Sequence, residues 1–145
     1  MSDVWQKHIT DRSAWTPHDL ASDGSWRYEL SAAQVTTLVG SAEQALAAER
    51  SLSDIDTDNF DVTGLEDLLV SLSHELHAGR GIAVLSGVPV EALGGVASLP
   101  LIERLYWGLL SHLGTGVTQN SDASLIHYVT DGALRPNQGT RGVGF

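Results

Sequence analysis

Apolar positions along the chain fall into three runs spaced for helices and one short unbroken run, with a polar stretch at each end. In the first run Val35, Leu38, Val39, Ala42, Ala45 and Leu46 recur at helical spacing behind Ser31-Ala32-Ala33-Gln34. That tetrad has the form of a capping box, with Ser at the N-cap and Gln at the third helical position, and predicts a helix over 32–49. A second box, Thr63-Gly64-Leu65-Glu66, opens a stripe of Leu65, Leu68, Leu69, Leu72 and Leu76. Gly79 follows where a left-handed C-cap would stand, which predicts a helix over 64–78. Ser98 and Pro100 start a third helix, 99–113, carrying Ile102, Leu105, Tyr106, Leu109, Leu110 and Leu113, with Gly114 to stop it. Between the last two, Gly81-Ile82-Ala83-Val84-Leu85 is continuously apolar and partly β-branched, is closed by Ser86-Gly87-Val88-Pro89, and reads as a buried strand. One further strand is expected from Leu125 to Val129, before a turn at Asp131-Gly132.

Residues 1–30 show no sustained periodicity. Trp5, Trp15 and Trp26 stand among Asp, His, Ser and Thr, with Thr16-Pro17 and Asp23-Gly24-Ser25 as turn signals, so this segment reads as a tryptophan-bearing arm laid over a body made by later residues. The whole chain of 145 residues is the size of one domain. It has no cysteine, which excludes disulfides and thiolate metal sites. Its 18 acidic against 8 scattered basic residues, a net charge of −10, argue against nucleic acid or an anionic membrane as partner. The N-terminus lacks a basic start leading into an apolar run, and no apolar stretch approaches the roughly 18 residues of a membrane span, so a cytoplasmic location is the expectation.

Six histidines and many carboxylates make a metal site worth testing. A facial triad for non-haem iron in its compact form is His-x-Asp or His-x-Glu with a distant His. Two places after His8, His18, His74, His77, His112 and His127 stand Thr10, Leu20, Leu76, Gly79, Gly114 and Val129, none of them acidic. His74-Glu75-Leu76-His77 is one residue short of the zinc-hydrolase spacing and reads as a solvated helix face. His112 and His127 read as structural histidines, and Arg80, between two glycines, as a basic residue complementing the end of a helix dipole. No nucleophile elbow, phosphate-binding loop or dinucleotide fingerprint occurs.

Taken in order, Trp26-Arg27-Tyr28-Glu29-Leu30-Ser31, Gly79-Arg80-Gly81-Ile82-Ala83-Val84-Leu85-Ser86-Gly87-Val88-Pro89-Val90, Tyr106-Trp107-Gly108-Leu109-Leu110-Ser111-His112-Leu113-Gly114, Gln119-Asn120-Ser121-Asp122, Leu125-Ile126-His127-Tyr128-Val129-Thr130-Asp131 and Arg141-Gly142 resemble the N-terminal half of TauD/TfdA-like dioxygenases. The Gly-Arg-Gly strand with its Gly-x-Pro turn and the later Gln-Asn are the specific elements, and the likeness covers about residues 20–145. The resemblance implies an Fe(II)- and 2-oxoglutarate-dependent oxygenase acting on a small organic substrate. It implies an α+β fold in which N-terminal helices flank part of a double-stranded β-helix, or jelly roll, with residues 31–145 its N-terminal half behind the arm of 1–30. It further implies that Gln119 and Asn120 line a substrate or cosubstrate pocket, and that Arg141 either anchors a carboxylate there or pairs with a buried acid.

The family's His-x-Asp comes shortly after the segment matching Arg141 to Phe145, with the distal His and the 2-oxoglutarate arginine later still. The resemblance therefore implies a chain truncated before its metal motif, inactive by itself, with no iron ligand of its own and no tight hold on Fe(II) or 2-oxoglutarate. The alternative is a non-catalytic binding or accessory module, completing a barrel with a separate C-terminal half. A jelly roll needs about eight strands, so the strands expected here leave sheet edges open to that half or to a second copy of the chain. One departure stands out: Ala123 occupies a position where the family commonly has Gly.

Overall fold

The computed structural model describes residues 8–121 and 123–128. Its elements are, in order, α1 (Pro17–Ser22), β1 (Arg27–Glu29), α2 (Ala32–Ala47), α3 (Glu66–His77), β2 (Val84–Ser86) and α4 (Leu99–Ser111), with short 3-10 turns at Leu52–Asp54 and Gly95–Ser98. Trp5, Val129, the Asp131-Gly132 turn, Arg141 and the Arg141–Phe145 ending lie outside the described residues.

The first capping box forms as its residues dictate. The Ser31 side chain accepts from the Gln34 N–H and the Gln34 side chain accepts from the Ser31 N–H, so two of the helix's unpaired donors are satisfied at once. At the other end α2 stops at Ala47, two residues before the predicted end, because the chain closes a Schellman motif: Arg50 N–H bonds the Ala45 carbonyl and Glu49 N–H the Leu46 carbonyl, each at 3.0 Å. The residue that must turn left-handed there is Glu49, at φ 52. A side chain in that conformation is strained by about 1 kcal/mol relative to glycine. Glu49→Gly is therefore expected to raise the urea midpoint by an equivalent of about 0.5–1 kcal/mol with the slope unchanged; a fall in the midpoint would contradict this account of the cap.

The second box does not form. Gly64 turns with φ 84, α3 begins at Glu66, and the Thr63 hydroxyl bonds Asp61 at 2.6 Å rather than capping the helix. The Glu66 carboxylate accepts from Gly64 N–H, while Gln34 and Thr37 of α2 bond the Gly64 and Thr63 carbonyls. Asp61 takes the cap's place: its carboxylate accepts from the Thr63 N–H, at 3.0 Å, as well as from the hydroxyl, while the α2 donors hold the turn by its carbonyls.

The arm also departs from expectation. Thr16-Pro17 is a helix start and not a turn: Thr16 and Asp19 form a reciprocal capping box around Pro17, and α1 follows. After it, β1 pairs in parallel with β2, Arg27 opposite Val84 and Glu29 opposite Ser86. A parallel pair needs a long crossover, and residues 30–83, with α2 and α3, supply it. The strand predicted over 81–85 is shifted to 84–86, because Gly81 sits at φ 77, outside the extended region, and β1 offers only three partners. Residues 125–128 form no strand among the described residues.

The core lies between α2 and α4 and is closed by the 51–65 connection. Leu38, Ala42 and Ala45 of α2, Leu105 and Leu109 of α4, Ile55, Phe60 and Leu65 from the connection, and Leu69 of α3 pack together. Three residues expected on apolar stripes are surface residues instead: Leu46 (38% exposed), Leu76 (37%) and Tyr106 (53%). Conversely Ser41 is buried and hands its hydroxyl to the Asp61 carbonyl at 2.8 Å, which settles its polarity.

Candidate functional site

α4 carries two neighbouring residues that build opposite surfaces. Gly108 is the place where the Phe60 ring lies against the helix backbone, so closely that a methyl group there would fall inside the ring. Trp107, on the adjoining face, lays its ring over Gly116 in the same manner. The first contact seals the core. The second pulls the chain after α4 back along the helix and leaves a cleft of about 960 Å³ between the C-terminal half of α4, the 53–57 turn and residues 114–127. Its walls are mostly apolar, with Ile55, Leu110, Leu113, Val117, Leu125 and Ile126, and polar groups enter from Asp56, Ser111, Gln119 and His127. A volume in the range of small-molecule pockets, with an apolar lining and a few polar groups, suits a small organic ligand.

The sequence-predicted site residues divide here. Gln119 lines the cleft, with its Nε2 donating to the Val117 carbonyl at 3.0 Å and its N–H to the Ser124 carbonyl at 2.8 Å. Asn120 is a turn former: its Oδ1 accepts from Ser124 N–H at 3.1 Å and its carbonyl from Ala123 N–H. Arg141 lies outside the described residues. His112 does what a structural histidine does, its Nε2 donating to the Phe60 carbonyl at 3.0 Å. His74 and His77 are exposed on α3, and His77 Nδ1 donates to the Ser73 carbonyl at 2.8 Å. Among the described residues no three His, Asp or Glu side chains converge to hold a metal.

The Asn120 turn places Ala123 at φ 57, the left-handed conformation that glycine takes without strain. Ala123→Gly is expected to tighten the turn by about 1 kcal/mol. Gln119 N–H, which the turn protects, should then exchange with solvent roughly five-fold more slowly; unchanged or faster exchange would mean that the residue carries no strain.

A second polar centre escaped the sequence reading. Arg80, expected to complement a helix dipole, carries a buried guanidinium, 7% exposed, that pairs with side chains instead. Its Nη1 pairs with Glu75 at 2.8 Å, and its Nη2 pairs with Asp23 and bonds Ser25 Oγ at 3.1 Å. Its N–H also bonds Glu75 Oε1 at 3.0 Å, and its carbonyl receives the Trp15 indole N–H at 2.9 Å. Gly79 is needed for close approach and not for a left-handed turn: a Cβ there would stand 2.7 Å from the Glu75 carbonyl oxygen, so only glycine lets the loop wrap the carboxylate. Hydrogen bonds from Arg80's backbone and side chain hold the Glu75 carboxyl below the usual range, and Ser25's N–H and hydroxyl, then Arg80, do the same for Asp23. A depressed carboxylate stabilises the fold fully above its unfolded value, near pH 4, and that contribution disappears as pH falls through the lower folded value. The available signal was Glu75 itself, three residues after Leu72 on the apolar stripe, where a carboxylate needs a buried partner.

No family model matches the chain. Among curated proteins it is similar to the FR-33289 synthase of Streptomyces rubellomurinus (strain ATCC 31215), with 26% identity over 132 residues, 90% of this chain and 38% of that protein. The chain is thus a distant relative of part of a synthase and spans well under half of its length. No helix among the described residues is long and apolar enough to cross a membrane.

Proposed function

We propose that this chain is the N-terminal portion of a non-haem Fe(II)/2-oxoglutarate-dependent oxygenase of the TauD/TfdA type, supplying the helical buttress and one wall of a small-molecule pocket. The observation that carries this reading is the match to a synthase over 90% of the chain and only 38% of the relative, in a chain whose ordered motifs resemble that family's N-terminal half. The cleft beside Gln119 supports it, since it is mostly apolar with a few polar groups, as a wall for a small organic molecule would be. β2 would then be a strand of the main sheet, which β1 extends in parallel. The described residues offer no ligand set for iron, so no chemical step is assigned to them. Their part is to shape the pocket, keep water from its apolar wall and present Gln119.

The test is made in two arms. The coding sequence continued past Phe145 should contain a His-x-Asp or His-x-Glu, and a protein carrying that continuation should bind Fe(II) and 2-oxoglutarate with a visible charge-transfer band and form succinate. The 145-residue chain alone should do neither. A band or succinate from this chain alone, or a continuation without the motif, overturns the reading; the latter outcome would favour a non-catalytic module.

A further inference from the structure

The stretch from His8 to Ser25 is exposed throughout except for the half-buried Leu20, and α1 within it buries no residue. Apart from Leu20 and from Trp15, which is 38% exposed, such a segment has little hydrophobic hold on the body. Among the described residues, its hydrogen bonds and ion pairs to anything beyond residue 27 all converge on one residue, Arg80: Trp15 Nε1 to its carbonyl, and Asp23 and Ser25 to its guanidinium. Inside the stretch the bonds are local, such as the Thr16–Asp19 box and Ser13 on Asp11, and Trp26 Nε1 on the Leu20 carbonyl ties the strap to its hinge at 3.2 Å. Between them and β1 the chain turns at Gly24, whose carbonyl accepts from Arg27 N–H and around which the space is open.

We infer that residues 8–25 are a strap that opens as a unit about Gly24–Trp26, with Arg80 as its catch. The charge arrangement makes release feasible without unfolding. Arg80 and Glu75 are both buried in the body and stay paired when the strap leaves, so no lone charge is stranded there. Asp23, whose side chain is half exposed, returns to water. The docked strap forms a hollow of about 320 Å³ with Arg80, its other walls being strap residues such as Asp11, Arg12, Trp15, Asp19 and Asp23, and opening takes that hollow apart. Local opening of a segment with few buried contacts lies at the low end of a protein's range of opening free energies, far below global unfolding.

Hydrogen exchange of the whole chain, followed by NMR, tests this on the strap side of the catch. In the wild type the Trp15 indole N–H, whose bond to the Arg80 carbonyl crosses from strap to body, should exchange measurably slower than a free indole but much faster than the amides of Leu38 or Leu109. In the Asp23→Asn, Ser25→Ala double variant, which leaves the Arg80–Glu75 pair intact, this indole signal should exchange on the order of ten-fold faster while the core amides stay within about two-fold. Arg80→Met should free the strap as well, with loss of core stability because Glu75 is left without its partner. The inference is overturned if the indole signal exchanges together with the core, if it is unprotected in the wild type, or if the double variant leaves it unchanged.

Discussion

Phe60→Ala is expected to destabilise the protein by about 3–5 kcal/mol, the range for removing a fully buried aromatic ring. Phe60 is 2% exposed and sits among Leu38, Leu65, Leu105 and Leu109, so little can collapse into the space it leaves. Its partner position gives the sharper test. Gly108 lies inside α4, where alanine would normally gain about 1 kcal/mol in helix propensity. A methyl group at this site, however, enters the Phe60 ring, and overpacking of that kind costs about 1–3 kcal/mol. Gly108→Ala should therefore come out net destabilising. In the Phe60→Ala background the same methyl has room, and Gly108→Ala should become neutral or stabilising. Urea denaturation of the four proteins in this cycle reads the coupling directly; additive effects would mean that the ring and the helix backbone are not in contact.

Gly116→Ala is expected to alter the cleft more than the fold. The added methyl would displace the Trp107 ring, and because Gly116 is exposed while Trp107 is half-buried, the chain after α4 can move away from the helix. The near-UV circular dichroism of the tryptophans should change, and protection of Gln119 N–H should fall by on the order of ten-fold. Global stability should drop by about 1 kcal/mol, at the low end for overpacking, since the segment yields. The Phe60–Gly108 contact on the adjoining face of α4 should be unaffected, so core amides keep their exchange rates. An unchanged Gln119 with a large loss of stability would show that Gly116 belongs to the core and not to the wall of the cleft. In an enzyme carrying the continuation past Phe145, the same substitution should raise KM more than it lowers kcat, because it deforms a binding wall and touches no reacting atom.

The three long helices were legible because their apolar spacing and the Ser31–Gln34 box are local: the box needs only a hydroxyl and an amide separated by one turn. The same kind of box at Thr63–Glu66 failed because Gly64 turns the chain and Asp61, two residues before Thr63, accepts from its N–H and hydroxyl, a competing local motif that the α2 donors then fix by bonding the turn's carbonyls. The arm's helix has no apolar stripe, so periodicity does not reveal it, although Thr16-Pro17-His18-Asp19 has the capping form. The resemblance singled out Gln119 and Asn120 together; the fold sets Gln119 beside the cleft and has Asn120 accept from the Ser124 N–H within its turn.

The sequence by itself determined the helical character of the chain, the absence of disulfides, the excess of negative charge and the motif order on which the family resemblance rests. Those properties depend on residue type and on neighbours within about one helical turn. Only the tertiary structure decided that Gly108 and Gly116 are glycines because aromatic rings lie on them, that Glu75 and Arg80 are buried together, and that β1 finds β2 across more than fifty residues. Each of these is a close approach between distant segments. Whether such an approach permits a methyl group, neutralises a charge or completes a ladder is set by distances that exist only once the chain has folded.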